Sequence, residues 1–331
     1  MAFQVYKIHS DFYWVKGENQ EYICKTRELL KKQKSDIAVG DFVELSEDFS
    51  FINSIKKRKN SLLRPKVSNI DTAIVVASIL EPELDLVQLN RYLIYLKYNK
   101  INTIICFNKS DLLQDKTFKY DKIYKKLGYK TFIISAKEQK IPKEFLKEIK
   151  GKTIVLQGMS GVGKSTLINT LSLCNLQKTG EISKKTQKGC HTTRHVEIIE
   201  YQDFKIIDTP GFSNLKFDFI LPNELIDLFE DLNKYKNECK YSNCLHNSYE
   251  NNTCGIIKNL DKIEKSRYES YLCFLKEAQS YKEKISKTSI KIEHSTKNSG
   301  NKTLTKISKN KRIQSRKASR QNLSKEKNGE I

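Results

Sequence analysis

No stretch of this 331-residue chain is apolar for long enough to cross a bilayer. The longest run, AIVVASIL at 73–80, falls well short of the ~20 residues a spanning helix needs. The opening MAFQVYKIHSDFYWVKG lacks the apolar segment and small-residue cleavage site of a secretory signal. Without an export signal, eight cysteines read as free thiols or metal ligands rather than a disulfide framework, and the expected compartment is the cytoplasm. Acidic residues are also scarce, 39 against 60 Lys and Arg, so the formal net charge is +21. Such an excess implies a polyanionic partner: RNA, DNA or an anionic membrane. About half of it lies in 282–331, which carries 15 basic and 4 acidic residues.

Residues 1–64 predict a small β-barrel. QVYKI, FYWVKG, EYICKT, DFVEL and FINSI are short segments rich in β-branched and aromatic residues, separated by polar or Gly-containing turns. An OB-fold is the commonest barrel of that size, and an SH3-like barrel has the same pattern. Residues 65–220 predict an α/β domain. TAIVVAS, TIICFN, TFIISA, TIVLQG, VEIIEY and FKIIDT are continuous apolar runs, as in strands buried on both faces of a mainly parallel sheet, and helical segments separate several of them. Residues 221–283 read as helical around a cysteine cluster. Beyond them, 284–331 is rich in Lys, Ser and Asn, too apolar-poor to offset its ordering entropy, and predicts a disordered basic tail.

TIVLQGMSGVGKSTLINTL has the form strand, G-x-x-x-x-G-K-S, helix, the context a phosphate-binding loop requires. Gly158, Gly161 and Gly163 permit a tight turn whose N–H groups, with those of Met159, Ser160, Val162 and Thr166, face phosphate at a helix N-terminus. Lys164 can reach the β and γ oxygens, and the Ser165 hydroxyl can ligate Mg²⁺. FKIIDTPGF adds Asp208 to hold Mg²⁺ through water and Gly211 to sense the γ-phosphate. Between them, in KGCHTTRHVEIIEY, Thr192 or Thr193 is positioned to add a hydroxyl to magnesium when the γ-phosphate is present.

Fifty residues upstream stands NKSD, Asn108, Lys109, Ser110 and Asp111, at the end of the apolar run TIICFN. A carboxylate there can accept from N1–H and N2–H₂ of guanine, whereas adenine would leave Asp111 unpaired. Asn108 would brace the loop and Lys109 would pack along the base. FIISAKE follows, so that Ser135, Ala136 and Lys137 can close over the guanine. A P-loop kinase has no use for NKSD and SAK. A GTPase normally has its phosphate loop before its base-reading motifs; here the order is reversed, which predicts a circularly permuted domain. Its join is IPKEFLKEIKGKTIVLQG, and its new break falls after DTPG.

Cys239, Cys244, His246 and Cys254 read C-x4-C-x-H-x7-C. Three thiolates and one imidazole complete a tetrahedral zinc set with no open position, so the expected site is structural and supplies folding energy to a loop-rich piece. Cys24, Cys106, Cys174 and Cys273 lie in apolar segments and read as packing residues. The chain also lacks a Gln after the DxxG glycine, the usual residue for orienting attacking water: Phe212 stands there, which predicts slow intrinsic turnover. His191 is the nearest replacement; a phosphate or RNA contact is its competing reading. Lys178, Lys184, Lys185, Lys188 and Arg194, together with KKRKNSLLRPK and the barrel aromatics Phe12, Tyr13 and Trp14, suit RNA.

In its barrel, its permuted GTPase motifs GMSGVGKST, GCHTTR and DTPGF, and its cysteine cluster, the chain resembles the RsgA family of ribosome small subunit-dependent GTPases. The resemblance covers about residues 1–280 and extends to VGDFVEL, RKNSLLRPKVSNID and SRYESYLCFLKE; the basic tail is outside it. It implies an OB-fold barrel, one zinc ion, and magnesium with GTP. It also implies a monomer, away from membranes, that binds the small (30S) ribosomal subunit and its 16S rRNA late in maturation, with hydrolysis driving release. The competing expectations are a GTP-locked RNA-binding scaffold with negligible hydrolysis and a large-subunit assembly GTPase.

Overall fold

The structure, a computed structural model, describes residues 3–17, 20–27, 36–63, 65–113, 118–179, 196–201, 203–208, 215–247 and 253–287, without the side chains at 174–179, 208 and 287. Five strands, β1 (Phe3–His9), β2 (Phe12–Lys16), β3 (Glu21–Thr26), β4 (Phe42–Leu45) and β5 (Phe51–Ile55), pair in the order β1-β2-β3-β5-β4. The β1–β4 pairing closes the ring, an OB-like barrel. Each strand sends one fully buried residue inward, Val5, Val15, Cys24, Val43 and Ile52, as the period-2 alternation requires. Burial raises the Cys24 thiol to about 11, so it packs as a neutral hydrophobe.

A two-stranded hairpin follows, β6 (Ser61–Leu62) with β7 (Val67–Ser68). The strings VGDFVEL and RKNSLLRPKVSNID staple it to the barrel. The buried Asp41 carboxylate accepts from Arg58 at 2.7 and 2.8 Å and from the Ser68 hydroxyl at 2.6 Å. Gly40 has φ +96°, and a Cβ there would sit 2.2 Å from the Ser68 carbonyl oxygen.

The nucleotide domain is a sheet of β8 (Thr72–Ser78), β9 (Asn102–Asn108), β10 (Lys130–Ile133), β11 (Thr153–Gln157), β12 (Glu197–Glu200) and β13 (Lys205–Asp208). Its order is β10-β9-β8-β11-β13-β12, parallel except for the antiparallel β12. Every residue of central β8 is buried. Ala73, Val75 and Ala77 join the cluster of α1 (Leu86–Tyr98) and α2 (Tyr120–Lys126). Ile74 and Val76 join that of α3 (Lys143–Ile149) and α4 (Lys164–Thr179). Helices on both faces are what made the strand sequences continuously apolar.

One pairing was not foreseen. β1 continues past the barrel and pairs with β12, Lys7 opposite Glu197, so barrel and nucleotide domain share an eleven-stranded sheet. Lys7 and Glu197 meet at 3.1 Å and Lys205 and Glu200 at 2.8 Å, partly exposed pairs of small net worth.

From 215 the chain forms short turns and then the long helix α5 (Lys265–Lys287), so the boundary read at 283/284 falls inside a helix. α5 packs on α1. Asn90 of α1 is fully buried and donates to Ser270 at 2.9 Å, while Arg267 and Tyr124 donate to its oxygen at 3.0 and 2.9 Å. Arg267 also forms a fork with Asp231 at 2.9 and 3.0 Å. Among the described residues no helix is long and apolar enough to cross a membrane.

Candidate functional site

Parallel strands present their C-terminal ends along one edge, where α/β folds bind ligands. NKSD leaves β9, SAK follows β10, the Gly-rich loop leaves β11, and Asp208 ends β13. Strings far apart in the chain therefore lie side by side, because β8 and β11 are neighbours in the sheet.

The phosphate loop owes its shape to three glycines. Gly158, Gly161 and Gly163 have φ of 152°, 78° and 94°. A Cβ at Gly158 would meet the Val76 carbonyl oxygen at 2.2 Å, and one at Gly163 would meet Asn108 Nδ2 at 2.3 Å. Only glycine allows such approaches. Lys164 donates to the carbonyls of Gly158 and Met159 at 2.8 and 2.6 Å, and burial pulls its ammonium below the usual lysine range. A phosphate anion there would supply the compensating charge. Ser160, Ser165 and Thr166 are exposed at the loop and the first turn of α4; Met159 is half-buried and Val162 is core.

Asn108 links the three strings. Its Nδ2 donates to the Val162 carbonyl at 2.9 Å, and its Oδ1 accepts from the Ala136 N–H at 2.9 Å. Asn108 therefore ties NKSD to the phosphate loop as well as to SAK. Asp111 accepts from the buried Ser135 hydroxyl at 2.6 Å, and that bond holds its carboxyl below the ordinary aspartate range. Lys109 has φ 66°, and its ammonium donates to the Glu81 carbonyl. Lys137 is exposed beside this pair. Thr170 of α4, which sequence reading passed over, donates to the Ala136 carbonyl at 2.7 Å. Its signal was a hydroxyl among the apolar positions Leu167 and Leu171. NKSD, SAK and the phosphate loop thus share one edge of the sheet. His191, Thr192, Thr193, Gly211 and Phe212 lie outside the described residues, as do Lys184, Lys185, Lys188 and Arg194, the tail beyond 287, and the side chains of Lys178 and Asp208.

The cysteine cluster forms a second centre. Ligand atoms of Cys239, Cys244, His246 and Cys254 all lie within 4.8 Å of one another. Cys239 Sγ is 3.9 Å from Cys254 Sγ, and His246 Nδ1 is 3.4 and 3.5 Å from these two sulfurs. A zinc tetrahedron with Zn–S of ~2.3 Å and Zn–N of ~2.0 Å has S–S edges of about 3.8 Å and S–N edges of about 3.5 Å, so the donors fit that ion. Burial lowers His246 to about 4 and raises Cys254 to about 12, so a cation is what would stabilise the thiolates. The Gly255 N–H donates to Cys239 Sγ at 3.3 Å, and Tyr268 and Tyr271 of α5 donate to the carbonyls of His246 and Leu245 at 2.8 and 3.0 Å.

Known proteins share this layout. A family model described as RsgA GTPase matches residues 55–218, and one described as RsgA N-terminal domain matches 4–50. A third, described as 50S ribosome-binding GTPase, matches 153–299, beginning at the phosphate-loop strand. The small ribosomal subunit biogenesis GTPase RsgA 2 of Oceanobacillus iheyensis is 38% identical over 286 residues, 84% of this chain and 98% of that protein. The small ribosomal subunit biogenesis GTPase RsgA of Alkaliphilus metalliredigens is 39% identical over 270 residues, 79% and 92% of the two chains. The crystal structure of YjeQ from Thermotoga maritima matches with a TM-score of 0.70 at 29% identity, over 84% of this chain and 98% of that one. That of YloQ, a circularly permuted GTPase, matches with 0.66 at 29% identity, over 84% and 95%.

Proposed function

The chain belongs to the RsgA GTPase family and is a circularly permuted GTP hydrolase, and from that premise we propose that it binds the small ribosomal subunit through 16S rRNA during late maturation, with GTP hydrolysis driving its release. The observation that carries this reading is the meeting of NKSD, SAK and the phosphate loop at one sheet edge through Asn108, in a protein flanked by an OB-like barrel and a Cys₃His cluster.

In this reading Asp111 reads N1–H and N2–H₂ of guanine, while Asn108, Lys109, Ser110 and Ser135–Lys137 frame the base. Residues 158–166 hold the phosphates. Ser165, Asp208 and Thr192 or Thr193 serve magnesium, Gly211 senses the γ-phosphate, and one zinc ion sits on Cys239, Cys244, His246 and Cys254. The protein works as a cytoplasmic monomer, with a barrel at 1–64, the GTPase domain at 65–220, the zinc domain from 221 to the end of α5 at Lys287 and a basic tail beyond it. GTP turnover measured alone, with small subunits and with large subunits tests it. Turnover should rise at least ~10-fold with small subunits only. Stimulation by large subunits alone would transfer the function to the other particle.

Phe212, standing where a water-orienting Gln is usual, favours a second reading: a scaffold that GTP locks onto RNA without turnover. His191 is the residue we assign to the missing role. His191→Ala should then lower subunit-stimulated kcat about 10²-fold with GTP affinity unchanged. An unchanged kcat would return His191 to a phosphate or RNA contact.

A further inference from the structure

Three strings of the nucleotide site close into a ring of hydrogen bonds, and one member of that ring belongs to none of the nucleotide motifs. Ala136, in SAK, is held on both sides: its N–H donates to Asn108 Oδ1 at 2.9 Å, and its carbonyl accepts from the Thr170 hydroxyl at 2.7 Å. Asn108 Nδ2 donates in turn to the Val162 carbonyl of the phosphate loop at 2.9 Å, and α4, which carries Thr170, begins at Lys164 in that same loop. Thr170 and Ala136 are buried, and Ala136 lies in one apolar cluster with Leu167 and Leu171 of α4. The hydroxyl also stands 3.0 Å from the Thr166 carbonyl of its own helix, but it has one hydrogen and Ala136 is the nearer acceptor. The Gln139 N–H reaches the Ala136 carbonyl only at 3.4 Å.

We propose that Thr170 is a positioning residue for guanine recognition, tying the SAK loop to the helix of the phosphate loop so that one unit grips both ends of the nucleotide. The proposal rests on the guanine reading above, in which Ser135–Lys137 frame the base. A buried carbonyl that loses its donor bears a desolvation penalty that water cannot relieve in an apolar wall, so SAK must shift to find another partner. Ser135 immediately precedes Ala136 and donates to Asp111 at 2.6 Å, so a shift of SAK carries the base-reading carboxylate with it. The phosphate side, residues 158–166, keeps its shape through its glycines and the bond from Asn108 to Val162. Loss of the hydroxyl therefore falls on the base and spares the phosphates. Ser172, also buried on α4, has the other role open to a helix hydroxyl: it donates to the Ile168 carbonyl of its own helix at 2.8 Å.

The test uses the full chain with Thr170→Val, which keeps the shape of the side chain and removes the donor. Thr170→Ser keeps a donor without the methyl, and Ser172→Ala is the control for loss of a helix hydroxyl. Release of GDP labelled on its ribose, GTP affinity, competition by inorganic triphosphate and melting temperature are measured together. We expect Thr170→Val to speed GDP release and weaken GTP binding about 10-fold, with inorganic triphosphate, which has no base, competing within ~2-fold of the parent. Thr170→Ser should stay within ~3-fold of the parent, and Ser172→Ala within ~2-fold. Unchanged GDP release in folded Thr170→Val, or in Thr170→Ala if Thr170→Val does not fold, overturns the proposal. So does an equal loss of inorganic triphosphate, which would make the hydroxyl a prop for the whole domain, or a Thr170→Ser protein that behaves like Thr170→Val. A parent protein that binds ATP as tightly as GTP would sink the guanine reading and this proposal with it. A parent selective for GTP beside an unaffected Thr170→Val would refute this proposal alone.

Discussion

Asp111→Asn is expected to weaken GTP binding by about 10²–10³-fold and to make xanthosine triphosphate the preferred nucleotide. The carboxylate can accept two hydrogen bonds from guanine, each charge-assisted and worth roughly 1.5–3 kcal/mol. An amide presents an N–H₂ to the guanine N2–H₂ and loses that bond outright. Xanthine carries an oxygen at the same place, so the amide pairs with it. The substitution should not disturb the fold, because Ser135 can still donate to the amide oxygen as it does to Asp111 at 2.6 Å. Competition binding of GTP, ATP and xanthosine triphosphate to parent and variant measures the effect. If the preference for GTP survives, Asp111 does not read the base.

The second large effect concerns the cysteine cluster. Removing zinc with a chelator, or replacing Cys254 by Ser, is expected to unfold the loops of 236–259 and part of the contact with α5. A structural zinc contributes ~10–16 kcal/mol of apparent binding energy in small peptides, comparable with or above the ~5–15 kcal/mol that holds a whole domain together. His246 has φ 55°, and Gly255 is packed so that a Cβ would meet the Tyr235 carbonyl oxygen at 2.3 Å. GTP affinity should change by less than about 3-fold, since the nucleotide residues belong to other clusters. Zinc content by metal analysis, with thermal unfolding before and after chelation, checks this. A parent protein that holds no zinc, or one that melts identically after zinc is stripped, counts against a structural metal.

What could be read in advance divides along a physical line. Strand and helix positions were legible because each buried strand must be apolar along its whole length when helices cover both faces, as TAIVVAS is in β8. The phosphate loop was legible because few residue types satisfy its geometry: glycine where a Cβ would strike the Val76 carbonyl. The Cys₃His cluster was legible for the same reason, four donors of metal-binding chemistry within sixteen residues, Cys239–Cys254.

Pairings between distant segments left no comparable trace. The Lys7–Glu197 register that joins the barrel to the nucleotide sheet uses residues common on any exposed strand. Arg91, on α1, and Glu277, on α5, are ordinary charged residues of amphipathic helices until the two helices pack and pair them at 2.7 Å, with Arg91 buried and Glu277 partly so. Family-like strings were visible as strings only; that Asp41 holds Arg58 and Ser68, or that Tyr268 and Tyr271 grip carbonyls of the cysteine-rich loop, required the tertiary structure. The sequence by itself determined the chemistry this chain carries, since local motifs impose residue types through steric and hydrogen-bonding demands within a few positions. Only the folded chain decided which motifs share a site and what holds them in place. Those contacts join residues that stand apart in the chain, from 17 positions for Arg58 and Asp41 to 186 for Arg91 and Glu277, and the many side chains able to make them leave no mark on the sequence.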